Sequence, residues 1–391
     1  MVRLVDVCKF QRGLTYKKSD EVAQSDNIVL RSNNIDLEQG VLDLRELKCI
    51  REDLSVPDDK KVMPGSILMC MANGSKSHLG KVALVQDDLG YAFGGFMGLL
   101  VPEGIDSSYL YLALRSAPFK ECIRKLQDGA NINNLKFSDF CDFPIPLPPL
   151  PVQREIVARL EKELGEADAL AAKFKEIAEN ADAEFKAELD ETFKNVEGEK
   201  VRLGDVFKFI DYRGMTPVKT ESGVPLITAK NVRQGFLDYK EESFISNEDY
   251  KNRQTRGIAH KGDILFTTEA PLGFVALADK DEFSTGQRII TFQQKHDDSN
   301  WCNKYFLYCL MSDWFQKQLW RQATGATAKG IKSSRLIELP VLVISSQCQK
   351  AIAGRLDKIK SECEKLKAAA ERGLRAAEDL RKAILAEAFE Q

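Results

Sequence analysis

Gln153-Arg154-Glu155-Ile156-Val157-Ala158-Arg159-Leu160-Glu161-Lys162 and Gln349-Lys350-Ala351-Ile352-Ala353-Gly354-Arg355-Leu356-Asp357-Lys358 are one segment written twice, 196 residues apart. Upstream at the same offset, Tyr109, Leu114, Ser116, Phe119, Gly129 and Ala130 meet Tyr305, Leu310, Ser312, Phe315, Gly325 and Ala326. Downstream, Leu189 and Phe193 meet Leu385 and Phe389. Near the start the offset drifts but the likeness persists. Val2-Arg3-Leu4-Val5-Asp6 returns as Val201-Arg202-Leu203-Gly204-Asp205, and Gly80-Lys81-Val82-Ala83-Leu84 as Gly273-Phe274-Val275-Ala276-Leu277. A chain of 391 residues is thus one unit repeated.

Each repeat has a globular part and a long helix, which divides the chain into 1–150, 151–198, 199–345 and 346–391. In the globular parts, short apolar runs such as Ile67-Leu68-Met69-Cys70 and Ile264-Leu265-Phe266 stand between turn residues and read as strands. Residues 107–126 and 303–322 carry Tyr, Leu and Phe at helical spacing and read as one helix each. In 346–391, Ile352, Leu356, Ile359, Cys363, Leu366, Ala370, Gly373, Ala377, Leu380 and Ile384 alternate by four and three, which is a coiled-coil seam. Residues 152–194 carry a looser version through Ile156, Leu160, Ala167, Leu170, Phe174, Ile177, Ala181, Phe185 and Leu189. Ser346 is placed to cap the second helix, with Gln349 three residues on. Pro151 suits the first helical position, behind a stiff entry Pro144-Ile145-Pro146-Leu147-Pro148-Pro149-Leu150.

Composition narrows the function. No apolar run approaches the length of a membrane helix, and Asp6 interrupts what would be a signal core. Nine cysteines, an odd number with no C-x-x-C pair, read as reduced thiols of a cytoplasmic protein. His78, His260 and His296 are far apart, and no metal site is expected. The string Gly325-Ala326-Thr327-Ala328-Lys329-Gly330-Ile331-Lys332 is not a phosphate-binding loop, because Ile331 separates the second glycine from the lysine. Gly94-Gly95-Phe96-Met97-Gly98 lacks the dinucleotide fingerprint. No nucleophile elbow, H-E-x-x-H or Asn/Asp-Pro-Pro-aromatic element is present, so no catalytic residues and no cofactor are expected.

Several loops are instead rich in groups that grip phosphate or read base edges. In the first globule the candidates are Lys17, Lys18, Arg31, Asn33, Asn73, Ser75, Lys76, Asn131 and Asn133. In the second they are Arg213, Thr216, Lys230, Asn231, Arg233, Thr324, Thr327 and Lys329. Solvated turns are the plain alternative for any one loop; recurrence at homologous places in both repeats favours function.

The run Pro146-Leu147-Pro148-Pro149-Leu150-Pro151-Val152-Gln153 leading into Ile156 and Leu160 resembles the specificity subunits of type I restriction-modification systems. It returns as Ile337-Glu338-Leu339-Pro340, Gln349, Ile352 and Leu356. The ending Ala383-Ile384-Leu385-Ala386-Glu387-Ala388-Phe389 is similar as well, and the resemblance covers the whole chain. Two places depart from the pattern: Leu342-Val343-Ile344-Ser345 has lost the prolines, and the first helix ends as Leu189-Asp190-Glu191-Thr192-Phe193. The resemblance implies an α+β fold of two tandem α/β target-recognition globules, separated by two long helices packing as an antiparallel coiled coil. It also implies a non-catalytic subunit that reads an asymmetric bipartite site in double-stranded DNA, one globule per half. Two methyltransferase subunits and restriction subunits would be its partners. A helix of about 42 residues spans roughly 60 Å at 1.5 Å per residue, nearly two turns of B-DNA, and would set the unread gap. Two alternatives stay open: a coiled-coil scaffold with two protein-binding globules, or the specificity subunit of a bipartite type II-like methyltransferase/nuclease.

Charge refines this. The net charge of −3 divides as −2, −6, +3 and +2 over the four segments. Most of the acidity lies on the first helix, so the isolated chain is expected to bind DNA weakly.

Overall fold

The computed structural model describes all residues except 38, 131–133, 296–300, 326–327 and 390–391, and leaves out the side chains of 128–130. Asn131, Asn133, His296 and Thr327 therefore lie outside the described residues. The chain forms two compact units, residues 1–175 with 371–391, and residues 176–370. Each holds one globule together with part of both long helices.

In the first unit the apolar run of the sequence becomes the centre of a sheet. Strands β1 (Cys8–Arg12), β2 (Ile67–Cys70), β3 (Val82–Leu84) and β4 (Met97–Pro102) lie in the order β1-β4-β2-β3, all antiparallel. Alternation of side chains divides the core in two. Ile67, Met69 and Leu100 face one apolar cluster with Tyr109, Leu110 and Phe119, whereas Leu68, Cys70 and Leu99 face another with Leu30 and Phe93. A smaller sheet joins Glu21–Val22, Lys48–Ile50, Ile28–Leu30 and Ala92–Phe93, the last pair parallel.

The second unit repeats this topology. Strands β5 (Phe207–Asp211), β6 (Ile264–Thr268), β7 (Leu272–Leu277) and β8 (Ile289–Gln294) take the order β5-β8-β6-β7. Register repeats too: Ile67 faces Leu84 and Leu100, as Ile264 faces Leu277 and Phe292. Its smaller sheet again ends in a parallel pair, Val224–Ile227 with Ser284–Thr285.

Each helix expected over 107–126 and 303–322 is two: α1 (Ser107–Arg115) and α2 (Ala117–Ala130), then α4 (Asn303–Met311) and α5 (Asp313–Gln322). Ser116 and Ser312 make the breaks. Both are extended, and their hydroxyls donate to the carbonyls of Ala113 (2.6 Å) and Cys309 (2.7 Å), diverting groups that would continue the helix.

The long helices are α3 (Leu150–Asn195) and α6 (Ser346–Phe389). A buried glutamine fixes each start. Gln153 accepts from the Asp106 amide (2.8 Å) and donates to Pro148 O (2.7 Å); Gln349 accepts from Cys302 (2.9 Å) and donates to Ile344 O (3.0 Å). The cap of α6 falls one residue earlier than expected, since the Ser345 hydroxyl accepts from Cys348 at 3.3 Å and Ser346 is already helical. Gln349 is correspondingly occupied with the globule, not with the cap.

The helices run antiparallel in each unit. Arg381 pairs with Asp168 (3.4 Å) in the first, and Lys367 pairs with Asp182 in the second. Only one of the two heptad positions is buried, by Leu160, Ala167 and Ala181 on α3 and Leu356, Cys363, Ala370 and Ala377 on α6. Leu170, Ile177, Leu366 and Leu380, at the alternate position, are 43–49% exposed. The expected architecture of two tandem α/β globules with paired long helices is the one observed.

Candidate nucleic-acid interface

In each globule the loops at one end of the main sheet are tied together by hydrogen bonds. In the first, the carbonyl of Phe96 accepts from Met71 (2.9 Å) and Ala72 (3.1 Å), which places the turn 94–96 beside the loop 72–78. Asn73 Nδ2 donates to Ser32 Oγ (2.9 Å), and its Oδ1 accepts from the Ser75 amide (2.9 Å). Arg31, Ser32, Asn33, Asn73, Ser75 and Phe96 thus form one cluster. Asn33 and Ser75 are exposed, and the Phe96 ring is 73% exposed among polar neighbours. The Nε of Arg31 is buried and meets no hydrogen-bond partner among the described residues. A buried unsatisfied donor amid exposed polar groups is where an acceptor from outside is best accommodated. Lys76 is exposed on the same loop, while Lys17 and Lys18 are exposed beyond Leu14, whose amide bonds Phe93 O (2.7 Å).

The second globule builds the equivalent surface with different side chains. Arg288 stands where Phe96 stands, its carbonyl accepting from Thr268 (2.9 Å), and its guanidinium pairs with Glu269 (2.9 Å). Gln287 donates to the Thr216 hydroxyl. Thr324 and Gly330 exchange both backbone hydrogen bonds (2.9 Å each), and Ile331 N bonds Thr268 O (3.0 Å), so the loop with Lys329 closes over the same end. Arg213 forks onto Asp211 (2.6–3.0 Å) and reaches Ile331 O (3.4 Å). Burial would raise the Asp211 pKa, but the Arg213 bonds outweigh it and hold the carboxyl below its ordinary value. Beneath, Arg253 is 1% exposed and donates to Met215 O (2.5 Å), Ser284 Oγ (3.1 Å) and Thr285 O (2.8 Å), anchoring the loop 212–216.

A family model for the type I restriction modification DNA specificity domain matches residues 1–177 and again 195–372. The chain belongs to this family. Among curated relatives, the type I restriction enzyme EcoKI specificity subunit of Escherichia coli K12 is 31% identical over 278 residues, 66% of this chain and 58% of that one. The StySPI specificity subunit of Salmonella potsdam is 35% identical over 170 residues, 42% of this chain and 36% of that one. The matches thus span little more than a third to just under three fifths of these relatives. A solved chain from work on complex assembly and conformational transition of a type I R-M system superposes with a TM-score of 0.77 at 19% identity, over 99% of this chain and 96% of that one. The HsdS subunit of Thermoanaerobacter tengcongensis gives 0.59 at 19% identity, over 99% and 95%. At these identities the two structures support the fold.

Other expected site residues are engaged within their own loop. Lys230 pairs with Glu241 (2.9 Å), and Arg233 donates to Lys230 O (2.5 Å) and pairs with Asp238 (3.4 Å). Asn231 is 3% exposed, and its amide is fully engaged with Thr228 N (2.9 Å), Asp238 O (3.0 Å) and Glu241 O (2.8 Å). It is a loop-organising residue, unavailable to a base edge, and leaves the candidate set. Phe96, Gln287 and Arg288 join it. The signal for them was the repeat, which aligns Gly94-Gly95-Phe96 with Gly286-Gln287-Arg288.

Among the described residues no group of three or more His, Cys, Asp or Glu is placed to hold a metal, and no helix is long and apolar enough to cross a membrane.

Proposed function

We propose that this chain is the non-catalytic DNA-reading subunit of a type I restriction-modification complex in the cytoplasm, one globule reading each half of an asymmetric bipartite site. One observation carries the reading: the same loop platform is built twice, with unlike side chains at equivalent points, Phe96 against Arg288 and Asn73 against Glu269–Ala270. A shared scaffold with divergent tips suits two readers of different sequence. An exposed aromatic such as Phe96 suits stacking or wedging at a base step, and Arg288 suits a base edge or phosphate. The half of the heptad seam left open, with Leu170, Ile177, Leu366 and Leu380, is the surface proposed for methyltransferase subunits, two of them because the repeat presents it twice. Restriction subunits would join through that assembly. The helices' length would set the unread gap. Exchanging residues 201–340 for the second globule of another family member tests the reading. Mapping methylated adenines should then show one half of the motif replaced and the other kept; an unchanged motif refutes it.

A further inference from the structure

The repeat offers an internal control for each side chain, and one cavity of the first globule departs from it. Between the loop 76–82, the region of Gly40 and the pair α1–α2 lies a half-open cavity of about 210 Å³. Leu79, Val82, Leu114, Phe119 and Ile123 give it apolar walls. Its charged lining, among the described residues, is wholly basic: Lys76, Lys81, Arg115, Lys120 and Arg124.

At the equivalent positions the second globule has Phe274 for Lys81, Met311 for Arg115, Gln316 for Lys120 and Trp320 for Arg124. Four cations in one repeat are four neutral residues in the other. The neutral version closes on itself, since the Gln316 amide donates to Gly273 O (2.9 Å) and Leu310 O (2.7 Å). The cationic version stays open at Lys120. Arg115 donates to Tyr111 Oη (2.7 Å), Lys81 to Ile35 O (2.8 Å), and Arg124 pairs with Glu121 (2.7 Å). The Lys120 ammonium meets no acceptor among the described residues. Burial, with Arg115, Arg381 and Lys382 nearby, pulls its pKa down, and burial does the same to Lys81 and Arg115. Lys76, Lys120 and Arg124 are exposed while Lys81 and Arg115 are half-buried, and like charges gathered on one wall repel until an anion joins them.

We propose that this cavity is a phosphoryl-binding site belonging to the first globule alone, with Lys120, Lys81 and Lys76 holding the oxyanion above the apolar wall. Its volume, below the roughly 300 Å³ at which pockets for drug-sized ligands begin, suits a phosphate or pyrophosphate. The phosphoryl group has two conceivable sources, a free anion or a DNA backbone phosphate. The second rests on the DNA-reading proposal, because Lys76 shares its loop with Asn73 and Ser75; the first does not.

Two measurements on the full-length chain separate these. One is calorimetric titration with inorganic pyrophosphate at low ionic strength. The other is salt-dependent DNA binding by the chain assembled with its methyltransferase subunits. The variants are Lys120→Gln, which installs the second globule's own residue, Lys120→Arg, which keeps the charge, and Lys317→Gln as a control in the second unit. A free-anion site binds one pyrophosphate per chain, weakened about tenfold by Lys120→Gln (about 1.4 kcal/mol). Lys120→Arg should retain that binding, and Lys317→Gln should leave it unchanged. A DNA-phosphate site shows no saturable pyrophosphate binding. In that case Lys120→Gln makes the salt dependence shallower by about one unit of slope, with the methylated motif unchanged. Pyrophosphate binding weakened equally by Lys317→Gln, or no binding together with an unaltered salt slope, overturns the proposal. The pyrophosphate arm contains no DNA, so failure of the DNA reading leaves it standing, and the converse also holds.

Discussion

Asn34 and Asn231 show why single residues were the hardest part to read. Each is buried, accepts a backbone N–H three residues back (Arg31 and Thr228, 2.9 Å), and donates to two carbonyls of the following loop at 2.8–3.0 Å. An asparagine that reads adenine and one that holds a turn are identical in sequence. Recurrence in both repeats is the clue that was available, because readers of different half-sites should differ while scaffolding should not. Asn231→Ala removes the donor to two loop carbonyls and should destabilise the second unit by about 2 kcal/mol, the scale of leaving such groups unpaired. Urea unfolding measures this; an unchanged midpoint with a changed methylation motif would return Asn231 to the readers. Arg213 is different, since it recurs nowhere and is held by a charge partner. The Asp211 carboxyl it grips has a depressed pKa, so the pair's stabilisation is complete above the ordinary aspartate value of about 3.9 and is lost as pH falls through the depressed one. Asp211→Asn should flatten the loss of stability below about pH 4 in thermal melts, and an acid limb as steep as the parent's would show the pair to be inert.

At the scale of elements, periodicity found the long helices and the central strands because both bury regular apolar faces. The two-residue strands of the smaller sheets, such as Glu21–Val22 and Ala92–Phe93, are too short to carry a period. The breaks at Ser116 and Ser312 depend on a hydroxyl bonding back to a carbonyl, which hydrophobic spacing does not register. Periodicity also marked both heptad positions alike, although one is the more buried, and the other, exposed at Leu366 and Leu380, is half-buried at Gly373. Two glycines of the second long helix make its local packing testable. A Cβ at Gly373 would lie under 3.0 Å from the Phe174 ring, whereas one at Gly354, on the same helix, would meet nothing within 4 Å. Alanine in a helix interior gains about 1 kcal/mol over glycine, and overpacking costs about 1–3 kcal/mol. Gly354→Ala should therefore raise stability by about 1 kcal/mol. Gly373→Ala should lower stability, or at best leave it level. Denaturant midpoints decide it, and a clear stabilisation at position 373 would mean that Phe174 yields without cost.

For the whole molecule, a net charge of −3 at first argues against a nucleic-acid ligand. Its distribution argues otherwise, with −6 on residues 151–198 and +3 on residues 199–345. DNA affinity arises largely from cations meeting phosphates, with release of counterions. A chain whose first globule is −2 has few to spare, and several of its site cations already face acids: Lys230 faces Glu241, Arg213 faces Asp211 and Arg288 faces Glu269. Those carboxylates weaken nonspecific attraction while leaving the fork of each arginine to be won by a better acceptor, which favours discrimination over raw affinity. The isolated chain should then bind its target no more tightly than the nonspecific range, roughly 10⁻⁴–10⁻⁶ M at physiological salt. On the proposed reading, assembly with methyltransferase subunits on the open leucines of the long helices should bring binding into the specific range of roughly 10⁻⁸ M or better. The salt dependence should steepen as basic surface is added by the partners. Fluorescence anisotropy on one labelled duplex, with and without those subunits, measures both quantities. Nanomolar binding by the chain alone would place the phosphate grip within these two globules and remove the need for a complex.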